Sequence, residues 1–110
     1  MITVVKMHPD YNLSTTIKRV YLDAIRSGDK TIEYKAASDW WRDRLGKAQA
    51  ALKTGGRVSI TFVCGRDNVD KYNVPRIELK QSAAGMNIDG NTVYEWYEIH
   101  LGEVISCTAK

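Results

Sequence analysis

The sequence has few of the residues that mark several classes of protein. Its 110 residues include only two cysteines, Cys64 and Cys107, too few for a disulfide framework or a cysteine-based zinc site. No apolar run approaches the roughly 20 residues that cross a bilayer, so no membrane association is predicted. Lys6 and Asp10 interrupt the first positions, which argues against a secretory signal peptide. These absences predict a protein of the reducing cytoplasm.

Generic catalytic signatures are missing as well. The chain contains no P-loop, no glycine-rich dinucleotide turn, no HExxH and no GxSxG. Its two histidines, His8 and His100, fall in different predicted elements, and a metal site built on them would need a third ligand. Neither cysteine lies in the basic helical setting of a reactive thiolate. We therefore expect no metal and no cofactor.

The remaining composition is that of one folded domain. Hydrophobic residues make up 44% and charged residues 26% of the chain, which excludes intrinsic disorder. We predict an N-terminal extension or edge strand over residues 1–13, with an extended segment at residues 1–5. A single domain is expected over residues 14–110.

Positive charge is concentrated in the first half of the chain. The net charge is +3, but residues 1–57 carry 11 basic and 6 acidic side chains, and residues 26–57 carry 8 and 4. Such an excess is typical of a nucleic-acid interface, and an ordinary solvated surface is the alternative.

Hydrophobic spacing predicts two helices. The first is expected over residues 18–27, capped by Thr15 or Thr16 and ended by Gly28. The second begins after Ser38 and ends before residues 55–56, which are both glycine. The apolar stripe of the first helix is Ile17, Val20, Tyr21, Ala24 and Ile25, and that of the second is Trp41, Leu45, Ala48 and Leu52.

Alternating residues predict strands over 30–36, 58–64, 76–83 and 93–106, the last with a bend at Gly102. A polar loop is expected over residues 65–75, and Asp89 and Gly90 indicate a tight turn. So many short strands favour closure into a small barrel, since closure removes the sheet edges. The predicted fold class is α+β, a small β-barrel with two flanking helices.

One segment stands out chemically, at residues 28–35, directly after the first helix. A glycine turn brings Lys30 to the mouth of a strand on which Glu33 and Lys35 share a face. Two ammonium groups around one carboxylate can bind an anion or polarise a carbonyl oxygen. The alternative is a surface ion-pair cluster with no ligand.

The stretch YLDAIRSGDKTIEYK resembles the signature of ASCH domains, which belong to the PUA-like superfamily. Their motif reads G-x-K-x-x-E-x-R after a helix: Gly28, Lys30 and Glu33 match it, and Lys35 replaces the arginine. The resemblance implies a PUA-like β-barrel and RNA or nucleotide binding in a cleft beside the motif. Lysine keeps the positive charge of that arginine but loses its two-pronged geometry.

A smaller group of ASCH-like proteins hydrolyses N4-acylated cytidines, and some ASCH proteins have been linked to ribonuclease activity. The resemblance therefore also implies a hydrolase, with Glu33 as general base and Lys30 stabilising an oxyanion. That amidohydrolase group uses a threonine where this chain has Glu33, together with a separate glutamate, for which Glu78 is a candidate. A non-enzymatic interaction module is the third hypothesis.

Aromatic and basic residues near the motif suggest how RNA would be held. Trp41 fits the apolar stripe of the second helix, which leaves Trp40 partly exposed as a stacking face or as a packing residue. Tyr72, among basic residues in the predicted loop, is a weaker candidate. Four arginines are expected to surround the motif with positive charge: Arg26, Arg42, Arg44 and Arg57.

Overall fold

Two helices and seven strands are present in the computed structural model, which describes residues 10–108. This confirms the α+β class. The predicted segment at residues 1–5 lies outside the described residues. The elements are β1 (Tyr11–Thr16), α1 (Arg19–Ser27), β2 (Ile32–Ala36), α2 (Asp39–Lys53), β3 (Val58–Val63), β4 (Val69–Asn73), β5 (Arg76–Ile88), β6 (Asn91–His100) and β7 (Val104–Cys107).

The strands form two sheets. The four-stranded sheet has the order β1-β3-β4-β7, in which β1 runs parallel to β3 and the other neighbours are antiparallel. The three-stranded sheet has the order β2-β6-β5 and is antiparallel throughout. Within residues 10–108 the hydrogen-bonded order does not close into a barrel. β1 is an edge strand that spans the boundary between the predicted segments 1–13 and 14–110.

Helix α1 has the predicted length, but its buried face differs from the predicted stripe. Ile25 of the predicted stripe enters the core, together with Leu22 from outside the stripe, whereas Val20 of the stripe is 67% exposed. Neither threonine caps the helix, because both belong to β1, and Lys18 stands at the N-cap without a side-chain bond. Gly28 ends α1 at φ 86°, the left-handed conformation that glycine adopts without strain.

Helix α2 follows the sequence prediction closely. The Ser38 hydroxyl accepts a hydrogen bond from the Trp41 amide, so the predicted residue caps the helix. Leu45 and Ala48 of the predicted stripe are fully buried, and Ala51 joins them. The helix ends at Thr54.

The prediction of a polar loop over residues 65–75 is wrong. β4 lies within it and pairs with β3. Asp70 and Tyr72 of β4 point into the interior, where Tyr72 offers no exposed ring for stacking. The sequence of β4 lacks hydrophobic alternation because its buried position 70 is an aspartate. That carboxylate can be buried since Arg26 of α1 pairs with it, and no short-range pattern shows this pairing.

The β5–β6 hairpin is longer than predicted, since β5 continues to Ile88. Asp89 and Gly90 form its turn at φ 52° and 83°, which confirms the turn prediction. The register shifts between Gln81 and Met86. Gly85, at φ 80° in that interval, lies so close to Thr92 that an added Cβ would meet its methyl group at 2.6 Å. The single strand predicted over 93–106 with a bend at Gly102 is two strands, β6 and β7, which belong to different sheets and are separated at that glycine.

The hydrophobic core lies between the two sheets and the inner faces of both helices. Its centre is formed by fully buried side chains from each layer: Leu22, Leu45, Val58, Ile60, Phe62 and Ile99. No helix in the described part of the chain is long and apolar enough to cross a membrane.

Candidate functional site

A cleft of about 590 Å³ opens beside the motif that the sequence singled out. Its walls come from four places: the β1–α1 connection, the outer face of α1, the beginning of β2 and the tip of the β5–β6 hairpin. All three charged residues of the motif's Lys-Glu-Lys group line this cleft. We call Lys30, Glu33 and Lys35 the cleft cluster.

Both lysines of the cleft cluster approach the same carboxylate. Lys30 Nζ lies 3.3 Å from Glu33 Oε1, and Lys35 Nζ lies 3.6 Å from Oε2. The Glu33 side chain is only 12% exposed, and those of the two lysines are similarly covered. Each oxygen of Glu33 therefore faces one ammonium group, and the cluster keeps one net positive charge.

The position of the cluster follows from strand register. β2 is an edge strand, and Glu33 pairs with Ile99 while Lys35 pairs with Tyr97. Paired residues share a face of the sheet, and Ile99 and Tyr97 are buried, so Glu33 and Lys35 point toward the interior. This confirms that they share one face. Lys30 precedes the strand and is anchored there, because its backbone N–H donates a hydrogen bond to the Ala24 carbonyl at 3.0 Å.

Aromatic rings surround the two ammonium groups. Lys30 Nζ lies 5.1 Å from the centre of the Tyr34 ring and 5.8 Å from that of Tyr21. Lys35 Nζ lies 5.1 Å from the centre of the Trp41 ring. These are cation–π distances, which hold a lysine in place without neutralising its charge.

Arg26, predicted to bind nucleic acid, instead forms a buried ion pair. Its Nη2 and Nε donate to the two carboxylate oxygens of Asp70 at 2.7 and 2.8 Å, and the Tyr72 hydroxyl donates to Asp70 at 3.0 Å. The guanidinium lowers the pKa of Asp70 to about 2, while burial and the carboxylate raise the pKa of Tyr72 to about 12. We call Arg26, Asp70 and Tyr72 the buried cluster. It joins α1 to β4.

Two further arginines predicted for the interface lie outside the cleft. Arg42 pairs with Glu95 at 2.6 Å and donates to the Ala37 carbonyl, so it ties α2 to β6. Arg57 is exposed just before β3, whose first residue pairs with Tyr11 of β1. The cleft borders the opposite end of β1, at Thr16.

Trp40 and Arg44 form a separate pair on α2. Trp40 is 51% exposed, as predicted, and the Arg44 guanidinium carbon lies 3.3 Å from the centre of its ring. The Trp41 ring meets it edge-on, with the two ring centres 4.7 Å apart.

The outer face of the three-stranded sheet carries a group of two glutamates and a histidine. Glu78, Glu98 and His100 each place one ligand atom within 4.8 Å of the others, which is metal-ligand spacing. Glu78, however, already contacts Arg76 and Lys80, and these cations lower its pKa. The arrangement therefore functions as an ion-pair cluster. Glu78 does not line the cleft and cannot act with Glu33 there.

Sequence reasoning missed several cleft residues. Apolar spacing predicts Tyr21 in the core-facing stripe of the first helix, and no motif points to Tyr34, but both rings line the cleft. Lys18 adds a third ammonium group at the rim, and its position one turn before Tyr21 was a usable signal. The hairpin tip supplies residues 86–89, and Asp89 there adds an acidic group. Nothing local in the sequence indicates that this tip reaches the motif.

Searches of protein-family models, curated protein sequences and solved structures return no match for this chain. The likeness to ASCH domains therefore remains a likeness of the motif residues and of the order of elements around them.

Proposed function

We propose that the cleft binds RNA or a nucleotide, with the cleft cluster recognising phosphate. The observation that carries this proposal is the convergence of Lys30 and Lys35 on one carboxylate inside an open cleft. The volume of about 590 Å³ falls within the range of small-molecule sites and exceeds what a single phosphate needs.

The lengths of the two ion pairs support a site that accepts a further anion. Contacts of 3.3 and 3.6 Å are longer than the roughly 2.7–2.9 Å of a strong charged hydrogen bond. Each ammonium group also carries three donors. Lys30 Nζ uses one on the Ile32 carbonyl at 2.6 Å and faces Glu33 with another, which leaves it one donor, whereas Lys35 Nζ faces Glu33 alone among the acceptors of the described residues. A phosphate oxygen can therefore bind Lys30 and Lys35 while Glu33 continues to orient them.

The aromatic walls support a nucleotide over inorganic phosphate. Tyr21 and Tyr34 line the cleft beside Lys30, and Met86 and Ile88 provide apolar surface on the opposite wall. A base packed between these walls would be held by stacking and apolar contact, which are tolerant of base identity.

The same proposal includes the architecture, an ASCH-type PUA-like barrel. The two sheets enclose one core, and the chain crosses between them where β6 gives way to β7. There the Gly102 amide donates to the Asn73 carbonyl at 2.7 Å. This junction supports a partly open barrel with the cleft at its side.

Calorimetric titration with nucleoside monophosphates, with the parent nucleosides as comparison, tests the proposal. We expect the monophosphate to bind and the nucleoside to bind at least about 10-fold more weakly, because one charge-assisted contact contributes about 1.5–3 kcal/mol. Lys30→Ala with Lys35→Ala should abolish this preference. The matched control is Lys47→Ala with Lys53→Ala, which removes the same charge from exposed positions of α2.

Equal binding by the two double variants would refute a phosphate site in the cleft. Equal binding of nucleotide and nucleoside by the unmodified protein would refute phosphate recognition altogether.

A hydrolase acting on an N4-acylated cytidine, or on RNA, is the second candidate. One observation favours it: Lys30 and Glu33 lie 3.3 Å apart within the cleft, as the base and the oxyanion-stabilising group would have to. Glu33 would take a proton from water as the water oxygen attacks the amide carbonyl of N4-acetylcytidine. It would then pass that proton to N4 as the C–N bond breaks, which releases cytidine and acetic acid, ionised to acetate in water. An assay with N4-acetylcytidine and with RNA that detects no product removes this candidate.

A further inference from the structure

We propose that Trp40 and Arg44 form a second nucleotide subsite next to the cleft, so that the ligand class is a single strand of two or more nucleotides. This inference rests on the proposed function of the cleft. It adds a ligand length and a direction, from the cleft along the N-terminal part of α2.

A continuous series of contacts connects the two places. Lys35, whose ammonium group faces Glu33 in the cleft, also lies 5.1 Å from the Trp41 ring centre. Trp41 in turn lies 4.7 Å from Trp40, edge to face. The Trp40 ring therefore lies at most about 10 Å from the Lys35 ammonium group, on the order of one or two nucleotides of an extended strand.

Trp40 is held as a platform although it is exposed. The Arg44 guanidinium lies 3.3 Å from the ring centre, and its Nη1 donates to the Trp40 carbonyl at 3.2 Å. The Trp41 ring packs against the same ring in a T-shaped arrangement, with the two ring planes at 79°. The guanidinium covers one face of the indole, and a base would stack on the part of the ring that its 51% exposure leaves open. An indole already held by these contacts has little rotational freedom to lose when a base stacks on it.

The charges around Trp40 indicate the path of the bound oligonucleotide. Asp39 is exposed in the first turn of α2 and disfavours phosphate over that end of the helix, whereas Asp43 is paired with Lys47 at 3.2 Å. Lys35 lies between the cleft and the tryptophans. The phosphate that links the two nucleotides therefore belongs beside Lys35, and Arg44 is next to the second base.

The test is binding as a function of ligand length, using a nucleoside monophosphate and oligoribonucleotides of two, three and four residues of the same base. We expect the dinucleotide to bind about 10-fold more tightly than the mononucleotide, because its second base stacks on the Trp40 ring. The gain should be accompanied by quenching of tryptophan fluorescence. A glutamate peptide with the same net charge as the oligonucleotide tests whether negative charge alone is enough for binding.

Trp40→Ala should remove the increase in affinity from mononucleotide to dinucleotide and leave the mononucleotide affinity within about 2-fold. Trp40→Phe should keep most of that increase because it retains an aromatic ring. Tyr94→Ala, which removes another exposed aromatic ring, is the matched control and should change neither quantity. Circular dichroism establishes that each variant is folded.

Mononucleotide binding without a gain on lengthening the ligand would overturn the second subsite and leave the proposed function intact. A gain that survives Trp40→Ala, or equal binding of the glutamate peptide, would also overturn it. Failure of every nucleotide to bind would instead overturn the proposed function itself.

Discussion

The buried cluster and the cleft cluster contain similar groups arranged to different ends. In the buried cluster a bidentate arginine and a tyrosine hydroxyl saturate the Asp70 carboxylate at 2.7–3.0 Å, and Asp70 is completely buried. In the cleft cluster two lysines approach Glu33 at 3.3 and 3.6 Å beside an open cavity. The first arrangement is closed to solvent and so to any ligand, whereas the second lies beside an open cavity and has ammonium donors left over. The number of hydrogen bonds to the carboxylate and its access to solvent therefore distinguish a structural ion pair from a binding site in this protein.

Loss of the arginine in the buried cluster is expected to have the largest effect. Arg26→Ala would leave the Asp70 carboxylate buried without its charge partner, which typically costs about 3–5 kcal/mol. The free energy of unfolding in urea, followed by tryptophan fluorescence, measures this. Arg19→Ala on the same helix breaks an exposed pair with Asp23 and should cost below about 0.5 kcal/mol. A loss below 1 kcal/mol for Arg26→Ala would contradict a structural role. If that variant does not fold, Arg26→Lys should show an intermediate loss.

Acid should weaken the same cluster. The pKa of Asp70 is about 2 in the folded protein against a usual value of 3.8, so its ionised form stabilises the fold above about pH 4. About 2 kcal/mol of that stability is lost as the pH falls from about 4 through 2. Urea unfolding at a series of pH values measures this, and Asp70→Asn should show a flatter dependence. An equally steep curve for that variant would assign the acid sensitivity to other groups.

Removal of the carboxylate from the cleft cluster should affect binding more than folding. Glu33→Gln raises the net charge of the cleft by one, so nucleotide affinity should increase about 2- to 5-fold at low salt, and the increase should shrink at high salt. The free energy of unfolding should fall by less than it does for Arg26→Ala, because the glutamine amide keeps a hydrogen-bonding group at the same position and both lysines border the open cleft. Under the hydrolase alternative, by contrast, the variant would lose turnover. Titration at two salt concentrations checks the affinity, and weaker binding by the variant would mean that Glu33 contacts the ligand directly.

The smallest effect is expected at an exposed pair that belongs to neither cluster. Lys47→Ala breaks a contact with Asp43 one helical turn away, and such pairs contribute about 0.3–0.5 kcal/mol. Nucleotide affinity should stay within 2-fold. A larger change in affinity would show that general positive charge on α2, and not the cleft cluster, drives binding.

Local patterns predicted much of the fold because helices and strands leave short-range signatures. Ser38 caps α2 as its hydroxyl suggested, and Gly28 ends α1. Alternation along β2 predicts Glu33 and Lys35 on one face of the strand, and the ion pair between their side chains follows from that placement. The α1 stripe is confirmed at Ile25 and wrong at Val20, which is exposed while Leu22 is buried. Periodicity alone does not decide which side of a short helix meets the core.

The candidate site was predicted only in part, since its remaining members come together over long distances. Asp70 lies 44 residues from Arg26, and only packing shows that this arginine is already engaged. The hairpin tip at residues 86–89 closes a wall of the cleft through a register shift that no short-range pattern specifies.

By itself the sequence determined the α+β class, the two helices and the placement of two lysines around one glutamate. Those features follow from spacing of 2 or 3.6 residues along the backbone, which is local. Tertiary structure alone decided which ion pair is saturated and which is open, because the distances and burial that distinguish them arise only when the sheets and α1 pack together. The charges of Arg26 and Lys30 are alike in the sequence, and their surroundings separate their roles.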